Sequence, residues 1–196
     1  MFKIGLTGGI GSGKTTVSRV FRNLGVPIFN SDLAAREIVN THPKAVDAIK
    51  SNFGDSLYSS EGLDRKALAS IVFNDPEELQ KLNNIVHPLV AEAFDKWCNN
   101  HQSAPYIIKE AAILFESGAH QNLDRVIVVY TQKEERIKRI IQRDKTSREE
   151  VESRMKNQWD DGTRNKLADF IIINDDLNIV LPQVMELHEV LIGMEE

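Results

Sequence analysis

Cysteine is nearly absent: Cys98 is the only one in 196 residues. One thiol cannot close an internal disulfide and is too little for a metal cluster, which points to a reducing compartment. Proline is scarce as well, at six residues, and no Pro/Gly-rich linker, repeat or low-complexity tract interrupts the chain. No apolar run approaches the ~20 residues needed to span a bilayer. The opening Met1-Phe2-Lys3-Ile4-Gly5-Leu6 lacks the long apolar region and cleavage site of a signal peptide. A cytoplasmic protein is therefore expected. Positive charge is in deficit too, with 24 Lys and Arg against 29 Asp and Glu, a net charge of -5. That argues against general affinity for nucleic acid or anionic membranes, and nothing marks an obligatory protein partner.

What remains is ordinary globular composition, 41% hydrophobic and 27% charged, in a length suited to one α/β unit with appendages. Five apolar segments read as buried strands: residues 3–6, 26–30, 106–111, 125–131 and 170–174. Runs such as Val126-Ile127-Val128-Val129-Tyr130 lack alternation, as expected for strands covered on both faces. Apolar stripes at helical spacing lie between them, at Val17, Val20, Phe21 and Leu24, at Ile137, Ile140 and Ile141, and at Val180, Val184, Leu187 and Leu191. Alternating strand and helix predicts a five-stranded parallel sheet with helices on both faces. The stretch from Ser31 to Pro105 is too long for one crossover. It reads as a helical insertion, apart from a turn-rich section over residues 51–64. A second excursion spans about 144–164.

Gly8-Gly9-Ile10-Gly11-Ser12-Gly13-Lys14-Thr15 fits the P-loop pattern completely, with a strand before it and a helix after it. Glycines let consecutive N–H groups turn inward around phosphate oxygens, and the helix N-terminus adds partial positive charge. The motif assigns Lys14 to the β- and γ-phosphates and the Thr15 hydroxyl to Mg²⁺. Gly9, Gly11, Ser12, Gly13 and Thr16 complete the candidate ATP cradle. The plain alternative is a glycine-rich turn without a ligand. Asp32, two residues beyond the second strand, is either a base for an attacking hydroxyl (or a holder of Mg²⁺ water) or the N-cap of the next helix. The segment from Lys133 to Lys166 holds 11 of the 24 basic residues and 8 of the 29 acidic ones. It is either a phosphate-contacting element or a solvated helical hairpin.

The opening Gly5 to Thr16 resembles that of the dephospho-CoA kinase family, and the likeness continues in order along the chain. It includes Ser31-Asp32-Leu33-Ala34-Ala35-Arg36, Leu63-Asp64-Arg65-Lys66-Ala67-Leu68, Ile85-Val86-His87-Pro88-Leu89 and Leu114-Phe115-Glu116. Further on come Ile140-Ile141-Gln142-Arg143-Asp144, Arg154-Met155-Lys156-Asn157-Gln158 and Ala168-Asp169-Phe170-Ile171-Ile172-Ile173-Asn174. Asn30 departs from the pattern, standing where the family commonly has the first of two aspartates.

The resemblance implies a P-loop NTPase fold and transfer of phosphate from ATP, with Mg²⁺, to the 3'-hydroxyl of dephospho-CoA. It implies a nucleotide core over about 1–32, 105–143 and 165–196, a CoA-side insertion over about 33–104 and a lid over about 144–164. It places Asp32 on the base at the substrate hydroxyl, Arg36, Arg65, His87 and Glu116 at the substrate, Arg143 as a catalytic lid group on the nucleotide (by charge or by stacking on adenine) and Asn174 at the nucleotide, with Lys14 catalytic in the P-loop. Each also has a plainer reading. Arg36 pairs with Asp32 on one helix face, Arg65 is an exposed arginine, and His87 marks a proline kink. Glu116 is a strand-end carboxylate, Arg143 a helix C-terminal cation, and Asn174 a turn cap. Two other readings share the P-loop: a kinase of a different metabolite, and a non-catalytic ATP-binding switch. A GTPase does not fit, because Asn165-Lys166-Leu167-Ala168-Asp169 is one residue too long for the guanine motif and precedes its strand.

Overall fold

The computed structural model describes residues 1–72 and 75–194. Residues 73–74 of the expected insertion and 195–196 of the expected core lie outside them. The chain divides into two compact units, 1–30 with 101–196, and 31–100.

The first unit holds β1 (Phe2–Thr7), α1 (Lys14–Asn23), β2 (Ile28–Asn30) and, after the second unit, the remaining core elements. The second unit contributes α2 (Ser31–Thr41), α3 (Pro43–Phe53), β3 (Tyr58–Ser59), β4 (Gly62–Leu63), α4 (Arg65–Val72) and α5 (Pro76–Asn99). The first then resumes with β5 (Tyr106–Glu110), β6 (Arg125–Tyr130), α6 (Lys133–Asp144), α7 (Arg148–Lys156), α8 (Asp161–Lys166), β7 (Phe170–Ile173) and α9 (Val180–Ile192).

The five long strands form a parallel sheet in the order β2-β5-β1-β6-β7, within a residue or two of the expected segments. Strand β2 starts late because Pro27 has no N–H to donate; its carbonyl still accepts the Ile108 amide at 2.9 Å. On one face Ile4, Leu6, Ile127 and Val129 pack with Val17 and Phe21 of α1 and with Val184, Leu187 and Leu191 of α9. Leu24, the last residue of the expected stripe, falls just past the end of α1 and is 36% exposed. The other face, Val126 and Val128, is covered by Ala111, Leu114, Phe115, Leu123 and Ala168, with α8 against β6. Strand β1 is therefore central, and its carboxyl end, where connections leave for opposite edges, is where ligands bind in open α/β sheets.

The second unit has its own core of Ile49, Leu57, Leu68 and Val72. Its turn-rich section keeps α3 running to Phe53 and adds the small β3–β4 hairpin. The Asp75 carboxylate caps α5 by accepting the Glu77 amide at 2.9 Å and the Glu78 amide at 3.3 Å. Helix α5 then continues through His87 and Pro88, so the proline does not end it. Buried Val86, Leu89, Val90 and Phe94 on both sides of it supply packing that offsets the lost backbone bond.

Ile127 is fully buried, whereas Ile171 on the neighbouring strand is 46% exposed. Denaturant titration should show Ile127→Ala destabilised by about 2–5 kcal/mol and Ile171→Ala changed by about 0.5 kcal/mol or less.

Candidate active site

The P-loop follows β1 directly. Its first carbonyl, Gly8, accepts the Lys14 ammonium at 2.7 Å, and the Ser12 amide donates to the Gly9 carbonyl at 3.0 Å, closing a turn over residues 9–12. Gly13 sits at φ 90°, a left-handed angle that other residues reach at a cost, and no side chain caps α1 behind it. The first turn of α1 is thus open to an anion. The buried Ser12 Oγ, with no hydrogen-bond partner among the described residues, adds a polar group suited to a phosphate oxygen.

Neighbouring strand ends hold this loop. The Asn174 side-chain amide donates to the Ser12 carbonyl at 2.7 Å. The Thr131 hydroxyl lies 3.0 Å from that carbonyl and 2.7 Å from the Asn174 carbonyl. A Cβ on Gly13 would stand 2.0 Å from the Asn174 amide nitrogen, and one on Gly9 would stand 1.9 Å from Arg136 Nη1. Asn174 therefore braces the loop, and its amide group is turned to Ser12. Arg139, one turn along α6 from Glu135, donates to the Asn174 carbonyl at 3.1 Å.

Two buried arginines flank Gly9. Arg136 donates to the Thr131 carbonyl at 3.1 Å and to Asp161 Oδ2 at 2.5 Å. Arg164, 1% exposed, donates to Asp161 Oδ1 at 3.0 Å, to Glu116 Oε1 at 3.4 Å and to the Trp159 carbonyl at 2.8 Å. Burial lowers the Arg136 pKa, with Asp161 opposing and Arg164 adding to the shift. One carboxylate, Asp161, thus bridges both guanidinium groups.

Arg143 is placed differently. It is exposed at the end of α6 and chelates Asp144 at 2.7 and 3.1 Å, which raises its pKa and lowers that of Asp144. Arg154 shares Asp144, and Arg148 pairs with Glu134 and Glu152. Much of the basic segment's charge is therefore met by acids within the same segment. Glu116 accepts the Trp159 amide at 3.0 Å besides its contact with Arg164.

Glu110 ends β5 in register with Leu6 of β1 and Asn30 of β2. It is 5% exposed, and its Oε2 accepts the Ser18 hydroxyl at 2.9 Å and the Asn30 amide at 3.1 Å. No group of three His, Cys, Asp or Glu side chains among the described residues could hold a metal by itself. A buried carboxylate at the strand end and the exposed Thr15 at the start of α1 nonetheless match the way Mg²⁺ is held in kinases, by one or two side chains and the substrate's phosphates.

In the second unit, Asp32 is half-buried in the first turn of α2, which begins at Ser31. It is one position inside the helix and not its N-cap. Arg36 is exposed, and its carbonyl accepts the Asn40 amide at 2.6 Å and lies 3.4 Å from Arg65 Nη2, so these two arginines are neighbours. His87 is half-buried within α5.

A family model described as dephospho-CoA kinase matches residues 2–179. The chain belongs to the dephospho-CoA kinase family. It is 40% identical to the dephospho-CoA kinase of Chlorobium chlorochromatii over 88% of this chain and 84% of that protein. With that of Bacteroides fragilis it shares 36% over 94% and 90%. Among solved structures it is similar to TT1252 from Thermus thermophilus, at TM-score 0.84, 32% identity and coverage of 100% and 98%. The dephospho-CoA kinase of Campylobacter jejuni follows at TM-score 0.70, 32% identity and 95% coverage of both chains. A shikimate kinase from Acinetobacter baumannii, at TM-score 0.53 and 15% identity, shares the fold alone.

Sequence reasoning passed over Glu110, Arg136, Gln158 and Arg164. Glu110 had a signal, a lone acid closing an apolar strand. The arginines did not, because a buried arginine looks like any other in a basic helix.

Gly13→Ala combines a left-handed backbone angle with the collision against Asn174. Calorimetric titration should show MgATP affinity reduced about tenfold or more, roughly 1.4 kcal/mol. Gly25→Ala, also at positive φ (84°) but with nothing near the added Cβ, should bind MgATP as the parent does.

Proposed function

We propose that this chain transfers the γ-phosphoryl group of ATP to the 3'-hydroxyl of dephospho-CoA, giving CoA and ADP. The observation that carries this reading is a complete P-loop on the central strand of a chain that matches the family over residues 2–179.

In a loose phosphoryl-transfer transition state, protein groups position the reactants and stabilise spread charge. The amides of the P-loop and of Lys14, Thr15 and Thr16 receive the phosphates, and Lys14 leaves the Gly8 carbonyl for the β- and γ-oxygens. Thr15 and Glu110 are the groups that would hold Mg²⁺, which when bound neutralises phosphate charge. Asp32 accepts the proton of the 3'-hydroxyl as its oxygen bonds to the γ-phosphorus and the bond to the ADP oxygen breaks. Arg36, Arg65 and His87 contact the acceptor. Arg143 turns from Asp144 to the nucleotide, and Asn174 keeps the loop in shape beside the base. Glu116 acts through Arg164. On this reading, residues 33–104 form the CoA side and 144–164 the lid.

Among the described residues no helix is long and apolar enough to cross a membrane. On the proposed reading the enzyme acts in the cytoplasm on a small-molecule acceptor, without nucleic acid or an obligatory protein partner.

The test is formation of ADP and CoA from MgATP and dephospho-CoA, against an ATP-only control. Turnover should require the acceptor, and Asp32→Asn should lower kcat about 10²–10⁴-fold. Glu110→Gln keeps the acceptor oxygen for Ser18 and Asn30 while removing the charge. It should leave the unfolding midpoint near the parent's and lower kcat at least tenfold, with the apparent Mg²⁺ requirement raised. If ATP binds and dephospho-CoA is untouched, the acceptor assignment falls.

A further inference from the structure

Gln158 follows α7, its own amide donating to the Met155 carbonyl at 3.1 Å. Its side chain then reaches two loops at once. Oε1 accepts the amide of Ile10, in the P-loop turn, at 2.8 Å. Nε2 donates to the carbonyl of Ala112, in the segment after β5, at 3.2 Å. The Ile10 side chain packs in turn against the buried cluster of Ile137, Ile140 and Val151 from α6 and α7. The next residue is also held by three contacts. The Trp159 amide donates to Glu116, its carbonyl accepts from Arg164, and its indole stacks on Phe115 at 6.0 Å and 5°.

We propose that Gln158 is a positioning residue for phosphoryl transfer, clamping the P-loop turn to the helices that follow β6. The inference rests on the kinase reading above and extends it to a residue with no contact to the reacting atoms. The physical reason is that a short loop of small residues has little side-chain packing to fix it. Ile10 is the only large side chain between Gly8 and Lys14, and its N–H is the atom that Gln158 takes. With that amide turned outward, the turn over residues 9–12 keeps one orientation, and the amides after it face the phosphates together. A loop free to rock would still attract an anion by charge. It would lose alignment of the γ-phosphorus with the attacking oxygen, on which rate depends steeply.

The test uses the full chain and two variants. Gln158→Leu keeps the bulk and loses both bonds. Gln158→Glu keeps an acceptor for the Ile10 amide and loses the donor to Ala112. Hydrogen exchange of the Ile10 amide should quicken about tenfold or more in Gln158→Leu and stay within about threefold of the parent in Gln158→Glu. With MgATP and dephospho-CoA, kcat should fall about tenfold or more in Gln158→Leu with KM for dephospho-CoA unchanged, and Gln158→Glu should restore most of it. Trp159 fluorescence in a Trp97→Phe background, which leaves a single tryptophan, should be alike in all three, showing the fold intact. Unchanged exchange in Gln158→Leu overturns the clamp, and quickened exchange with kcat within twofold of the parent overturns the positioning role. A parent that ignores dephospho-CoA sinks the acceptor reading instead, while exchange with and without MgATP still decides the clamp.

Discussion

A loop that turns its N–H groups inward around an anion must turn its carbonyls outward, and each buried carbonyl needs a donor. The Ser12 carbonyl is where that constraint bears hardest, because it lies over the ends of β6 and β7 and away from water. Asn174 meets it from one strand end and Thr131 from the other. The Asn174 backbone is in turn tied to the Tyr130 carbonyl at 2.8 Å, so the donor arrives with the sheet's register. The adjoining carbonyls are met locally, Gly9 by the Ser12 amide and Gly8 by Lys14. Of the three, only the Lys14 bond is made by a group that, on the proposed reading, the ligand itself recruits. Binding can exchange that bond while the strand-end bonds keep the loop's shape.

The same logic governs the arginines. Arg136 and Arg164 lie beside Gly9, deep enough that unopposed charge would be costly. Asp161 between them and Glu116 beyond supply equal negative charge. The result is a neutral wall of directed hydrogen bonds against the loop, without a strong local field. Beside Gly9, the attraction for an anion then comes from the helix terminus and Lys14 more than from these two arginines. A count of basic residues over 133–166 overstates what reaches the phosphates, since the ion pairs within that stretch are invisible to it.

This marks the boundary of what the sequence made legible. Sheet, strand ends and P-loop were readable because each is written in consecutive residues: apolar runs, a glycine pattern, a helical stripe. The bracing bonds join residues 162 and 148 positions apart, Asn174 to Ser12 and Gln158 to Ile10, and no local pattern encodes such pairs. Asn174 was picked out by family likeness, yet its observed partner is the loop carbonyl. Arg143 is named by the same likeness, whereas nothing in the sequence names Arg136, whose side chain lies beside Gly9 of the P-loop. The hairpin within residues 51–64 was missed because strands of two residues carry almost no periodicity.

Asn30 shows how the packed structure answers a question that the sequence could only raise. Its side chain donates to Glu110 at 3.1 Å. An aspartate in the same pose would set two carboxylates within hydrogen-bonding distance at a buried strand end, and one would have to hold a proton. With asparagine, Glu110 gains a donor, and Ser18 supplies a second from α1. Asparagine at position 30 thus offers the neighbouring carboxylate a donor where an aspartate would offer a second acceptor. The departure from the family pattern removes a charge and leaves Glu110, level with the end of β1, hydrogen-bonded from both neighbouring elements.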